Sequence, residues 1–122
     1  MEWRLNDSRP IWIQLTEQLT ERIASGVYPM GEKLLSVREL ASEAGVNPNT
    51  MQRALSQLDS QGLTETNRTS GRTVTDNAEV LEQVRRKLAK DKIEAFLDGM
   101  EKLGFSRGEI IELLKGERSQ NE

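Results

Sequence analysis

Five side chains near the start of GVNPNTMQRALSQLDSQG, residues 45–62, carry planar or directional hydrogen-bonding groups: Asn47, Asn49, Thr50, Gln52 and Arg53. A carboxamide holds a donor and an acceptor side by side and can pair bidentately with adenine. A guanidinium fork matches guanine, and a threonine methyl can meet the methyl of thymine. Such a set suits the edges of nucleic-acid bases. The same residue types also make an ordinary solvated helix face, so their placement has to decide between the two.

Other chemistries lose their usual actors. The 122 residues include no cysteine and no histidine, which removes disulfides, thiolate metal sites and the commonest metal ligand and general base. Glu39, Glu43 and Glu94 have the spacing of a solvated helical face, and no G-x-x-x-x-G-K phosphate loop occurs. No catalytic residue, metal site or cofactor is expected. The formal net charge is −3, and eight basic against ten acidic residues fall within residues 1–78. Any phosphate contact must therefore come from a local arrangement of Arg and Lys, since a summed positive field is absent. No apolar run approaches the roughly 20 residues of a membrane span, and MEWRLNDSRP lacks the order of a signal peptide. A cytoplasmic protein without a membrane partner is expected.

Several elements must position those five side chains. From Pro10 to Ala24, Ile11, Leu15, Leu19 and Ile23 recur at spacings of four, the mark of one helical face. SGVYPMGEKL then supplies Gly26, Pro29 and Gly31, which end that helix and start a loop. SVRELASEAG carries an S-x-x-E capping box at Ser36 and Glu39, and Gly45 suits the left-handed closing residue. Asn47 is a good N-cap and Pro48 fits the first helical position, so a third helix starts sharply there. Met51, Ala54, Leu55 and Leu58 share one face of it, while Asn49, Gln52, Arg53, Ser56 and Ser60 share the other. LTETNRTSGRTVT then turns to β-favouring residues around a polar turn, a small hairpin. Two short helices joined by a tight turn and followed at once by a hairpin have the order of a winged helix-turn-helix.

After Asp76 and Asn77, one long helix is expected up to Gly104. Leu81, Val84 and Leu88 keep one register, and Ala89, Ile93, Phe96, Met100 and Leu103 keep another displaced by one residue, about 100° of rotation. The two halves should bury different faces. SRGEIIELLKGERSQNE opens with a second capping box, Ser106 to Glu109. Two helices alone cannot bury Ile93, Phe96, Leu97, Met100, Leu103, Ile110, Ile111 and Leu114, so dimerisation through this segment is the economical solution.

Residues 10–74 resemble the DNA-binding domain of the GntR family of bacterial transcription regulators. GEKLLSVRELASEAGVNPNTMQRALSQLDSQGLTET carries the family's G-x-x-L stretch, S-x-R-x-L-A, G-V-x-x-x-T and a leucine-bearing helix that ends in Gly-Leu. Residues 79–122, FLDGMEKLGFSRGEIIELL above all, are similar to the two-helix tail of the YtrA-type subfamily. Larger members add a ligand-binding or aminotransferase-like domain, and none is expected here; whether a small-molecule effector acts is left open. The resemblance implies that Arg38 contacts DNA and that Arg68 and Arg72 flank a wing tip reaching the minor groove or backbone. Ser36 and Thr50 either donate to phosphates or serve as caps, and Lys33 could add a phosphate contact. Leu35 stands where the family usually has proline. Thr64 and Thr73 replace common apolar residues, which implies a less tightly packed wing.

The fold class expected is mainly α with a small β-hairpin. It comprises a winged helix-turn-helix over residues 1–76, a two-helix dimerisation tail over 77–118 and a disordered end at 119–122. The function implied is sequence-specific regulation of transcription, as a homodimeric repressor on an inverted-repeat operator in double-stranded DNA. The rival is a winged-helix protein-interaction module that does not read DNA, for which the near-neutral first domain is the only support.

Overall fold

The chain folds in the order α1 (Ile11–Ala24), α2 (Val37–Ala44), α3 (Pro48–Ser60), β1 (Thr64–Asn67), β2 (Gly71–Val74), α4 (Ala78–Lys102) and α5 (Arg107–Gln120). The structure, a computed structural model, describes residues 2–120, the side chains of 117–120 excepted. It is mainly helical, with one antiparallel hairpin among the described residues. Two compact units are present, Met1–Arg85 and Arg86–Glu122.

In the first unit, Leu15, Leu19 and Ile23 of α1 meet Leu40 and Ala41 of α2 and Met51, Ala54, Leu55 and Leu58 of α3 in one buried cluster. Leu34, Leu63 and Val74 close it from the loop and the hairpin. Helix starts follow the local chemistry. Ser36 Oγ accepts from the Glu39 amide at 3.1 Å while the Glu39 carboxylate accepts from the Ser36 amide at 3.0 Å. Pro10, expected in the first turn of this helix, is its cap, with φ −50° and ψ 135°. Val80, Leu81 and Val84, from the first turns of α4, pack against this core, so the unit extends into the long helix beyond the boundary expected at residue 76. Asn77 Oδ1 caps α4 by accepting from the Glu79 and Val80 amides at 3.1 and 3.3 Å.

The stretch before α2, expected as plain loop, pairs with the hairpin. Leu34 N–H donates to the Arg72 carbonyl at 2.9 Å, Val74 N–H to Glu32 at 2.9 Å and Gly31 N–H to Val74 at 3.0 Å. Strand pairing at such sequence separation leaves no local mark. An N-terminal arm was equally unforeseen. Gln18 accepts from the Arg4 amide at 3.0 Å and donates to the Arg4 carbonyl at 2.9 Å, and buried Gln14 does the same for Asn6 at 3.0 and 2.8 Å. One helical turn of about 6 Å separates the two glutamines, close to the span of two extended residues. Trp3 completes the arm by donating its indole N–H to Glu43 at 3.0 Å, with Arg22 stacked 3.8 Å over its ring.

In the second unit, Ser106 and Glu109 form the expected capping box at 3.0 and 3.2 Å. Ile110 is buried, Leu97 and Met100 are half-buried, and Ile93, Phe96, Leu103, Ile111 and Leu114 are exposed. The expectation of disorder at 119–122 falls mostly outside the described residues.

Among the described residues, the carboxylates of Glu17, Glu39, Asp59 and Glu109 sit below their ordinary values. The Arg9 guanidinium holds Glu17 down, the Ser36 amide holds Glu39 down and the Ser106 amide holds Glu109 down. Burial pushes Asp59 up, but Arg72 and two threonines more than offset it. The unfolded chain therefore binds more protons in acid. The stability these groups contribute is complete above the ordinary glutamate value of 4.5 and drains away as pH falls through the lowered folded values. Urea midpoints are expected to drop below that pH, and Glu39→Gln to shrink the drop; a midpoint unchanged into acid contradicts this.

Candidate nucleic-acid interface

The turn between α2 and α3 is short and closed from both sides. Gly45 adopts φ +71°, which a side chain would strain, and the Val46 amide returns to the Ala41 carbonyl at 3.0 Å. Asn47 Oδ1 then accepts from the Asn49 amide at 2.8 Å. This engages the Asn47 oxygen as a cap and leaves its amide group to donate outward.

Because Met51, Ala54, Leu55 and Leu58 are buried, the opposite side of α3 must face solvent. Asn49, Gln52 and Arg53 are exposed and Thr50 is half-buried. Gln52 Nε2 donates to Ser56 Oγ at 3.0 Å, which uses one amide hydrogen and leaves the second hydrogen and the carbonyl for another partner. Arg53 lies over the Trp12 ring of α1, its guanidinium carbon 4.0 Å from the centroid. Stacking occupies the face of the cation and leaves its N–H edge to donate.

Arg38 is exposed in the first turn of α2, and the neighbouring Glu39 carboxylate that could have paired with it is held in the capping box. Ser36 acts as a cap, while its hydroxyl proton stays available. Arg68 is exposed in the hairpin turn. Arg72 is placed differently: its guanidinium donates to both Asp59 oxygens at 3.1 and 3.0 Å, and its side chain is only 11% exposed. The expected DNA contact thus competes with an intramolecular partner.

A groove of about 660 Å³ runs between the start of α2, α3 and the hairpin, lined by residues 33–37, Glu39, Gln52, Thr66, Gly71 and Arg72. It brings Ser36, Gln52 and Arg72 together with Lys33. Gly71 lets the Lys33 stem pass, since a Cβ there would lie 3.3 Å from Lys33 Cε. Asn47 and Thr50 line a separate hollow with Leu5, Asn6 and Ile11. Arg38, Asn49, Arg53 and Arg68 line neither. The looser wing expected from Thr64 is not found, because Thr64 is buried and its hydroxyl donates to Asp59.

Trp12 and Asp59 were missed as site residues. For Asp59 a signal existed in its spacing: seven residues after Gln52 returns to within about 20° on a helix. For Trp12 no local signal linked it to α3.

Capped helices, a tight turn, an exposed amide-rich face and a hairpin beside it define a winged helix-turn-helix of the DNA-binding kind. Residues 13–74 match the model of the family described as bacterial regulatory proteins, gntR family. Across 115 residues the chain is 35% identical to the uncharacterised HTH-type transcriptional regulator YhcF of Bacillus subtilis, covering 94% of this chain and 95% of that one. The HTH-type transcriptional repressor YtrA of the same organism is 34% identical over 77% of each chain. A solved GntR family transcriptional regulator from Listeria monocytogenes superposes with a TM-score of 0.84 at 38% identity, over 92% of this chain and 98% of that one. The chain belongs to the GntR family, in its YtrA-type branch, and is a DNA-binding transcriptional regulator.

The Trp12–Arg53 stack is expected to couple energetically. A double-mutant cycle on Trp12→Leu and Arg53→Met, read by urea unfolding, should give roughly 0.5 to 1 kcal/mol of interaction. Strict additivity would remove the stack as a positioning contact.

Proposed function

We propose that this regulator is a homodimeric repressor that occupies an inverted-repeat operator and blocks a promoter. The observation that carries the dimer is the apolar surface of the second unit. Ile93, Phe96, Leu103, Ile111, Leu113 and Leu114 are between 44% and 73% exposed, and a contiguous cover of such groups is the usual fate of exposed apolar patches. A two-fold dimer would present two α3 faces, and a symmetric pair of readers selects a symmetric site. Repression is supported by the Bacillus subtilis relative YtrA, an HTH-type transcriptional repressor.

In this reading Gln52 and Asn49 meet base edges, and Arg53 donates from its stacked edge to a base or a phosphate. Arg38, Arg68, Ser36, Thr50 and Asn47 hold the DNA backbone. Phosphate contacts set register and most of the salt dependence, while base contacts carry sequence information. With no excess of basic residues in the first part of the chain, these few exposed cations are asked to supply the attraction. The regulator would work where the genome is, in the cytoplasm. The rival reading, a module that does not bind DNA, has lost its support, since the family binds DNA.

Selection from random duplex is expected to return a two-fold symmetric motif; an asymmetric or featureless result would overturn the dimeric reading. On the selected site, Gln52→Ala should cost about 1 to 3 kcal/mol and relax preference at one base step. Arg38→Ala should weaken all sequences alike and lower the salt slope by about one. Equal losses for Gln52→Ala on selected and random DNA would remove it from the readers. Sedimentation should show a dimer that Phe96→Glu with Leu103→Glu converts to monomer, whereas a monomeric wild type contradicts the tail's assignment.

A further inference from the structure

The Asp59 carboxylate collects four donors from the hairpin. Arg72 Nε and one terminal nitrogen donate from β2 at 3.1 and 3.0 Å. From β1 the Thr66 hydroxyl donates at 3.0 Å, and the Thr64 hydroxyl completes the set. Thr66 and Arg72 face each other across the two strands, so one carboxylate on α3 ties down both. A bidentate pair to a guanidinium fixes direction as well as distance.

A hairpin of two four-residue strands is marginal by itself. Its backbone bonds to Glu32, Leu34 and Gly31 fasten it to the loop before α2, and none of these three ties its strands to α3. Beyond the root at Leu63 and Val74, whose side chains enter the core, the polar link between wing and α3 is the side-chain cluster on Asp59. That cluster also lies on the groove. Thr66 and Arg72 line it together with Gln52, two helical turns before Asp59 on the same side of α3.

We propose that Asp59 is a positioning residue for DNA binding: it clamps the wing to α3 and so sets the groove that Gln52 shares, with Arg72 serving the clamp and not a phosphate. An arginine that meets phosphate keeps its donors toward solvent, whereas Arg72 has turned two of its five inward and lies mostly covered. The inference rests on the reading in which the wing approaches DNA beside α3.

The two roles predict opposite signs. If Arg72 met phosphate and Asp59 merely restrained it, Asp59→Asn would release a cation, tighten binding and steepen the salt slope by about one. If Asp59 clamps, Asp59→Asn weakens binding, by about tenfold on the scale of coupled neighbours, and leaves the slope unchanged.

The test measures anisotropy of labelled duplex over a salt series, with a random-sequence pool and the sequence best selected from it. It compares wild type, Asp59→Asn, Arg72→Gln and their double, with urea unfolding to confirm that each is folded. Losses of similar size, a double no weaker than either single and unchanged slopes support the clamp. Tighter binding by Asp59→Asn, unaltered affinity, or a slope lowered by about one in Arg72→Gln alone overturns it. Arg72→Lys guards against misfolding of the glutamine variant. It keeps the charge but loses the fork, so the clamp predicts weakened binding and a phosphate contact predicts near-normal binding. Failure of wild type to bind duplex in a salt-dependent way would be a different failure, that of the DNA-binding reading itself.

Discussion

The rotation of α3 about its own axis is the constraint from which the interface follows. Met51, Ala54, Leu55 and Leu58 have no residual exposure, and truncating any of the larger three to alanine would open a cavity costing about 2 to 5 kcal/mol. A helix held so firmly on one side has its other side chosen for it. Asn49, Gln52 and Arg53 face outward because four apolar neighbours cannot. The capped turn at Gly45 to Asn47 sets where the helix starts, the buried face sets which way it is turned, and side-chain contacts such as the Trp12–Arg53 stack refine the aim of the polar groups.

The second theme is how a protein with net charge −3 meets a polyanion. Its cations are not all available. Arg9, Arg85, Lys87 and Lys102 are paired with acids on the surface, Arg22 stacks on Trp3, and Arg72 is turned to Asp59. Arg53 is only partly engaged, since stacking leaves its edge open. A global charge count therefore says little about the field at the groove, which depends on a few side chains left pointing out.

Features governed by near neighbours were legible in the amino-acid sequence. The starts at Ser36, Asn47 and Ser106 are written in three or four consecutive residues, and the register change in α4 is a matter of spacing. Val80, Leu81 and Val84 do pack on the first unit while Ile93, Phe96 and Leu103 stay exposed. Illegible were the features that depend on chain segments meeting through space. Lys33 bridges to Thr73 across forty residues, Trp12 lies under Arg53, and Asp59 gathers Thr64, Thr66 and Arg72. Thr64 shows the failure most clearly. Judged alone it is a polar residue where an apolar one would pack better, but beside Asp59 its hydroxyl is part of the packing.

The two glutamines of α1 place the instructions for one segment inside another. Gln14 and Gln18 bind the backbone of Asn6 and Arg4, each with one donor and one acceptor in the manner of a neighbouring strand. Such pairing ignores side chains. The residue at 4 is then free to drift over evolutionary time without disturbing the arm, whereas Asn6 also accepts from the Ser8 amide at 2.9 Å, and a change at either glutamine would erase its address. Variation in the arm and constancy in the helix would be two sides of the same arrangement.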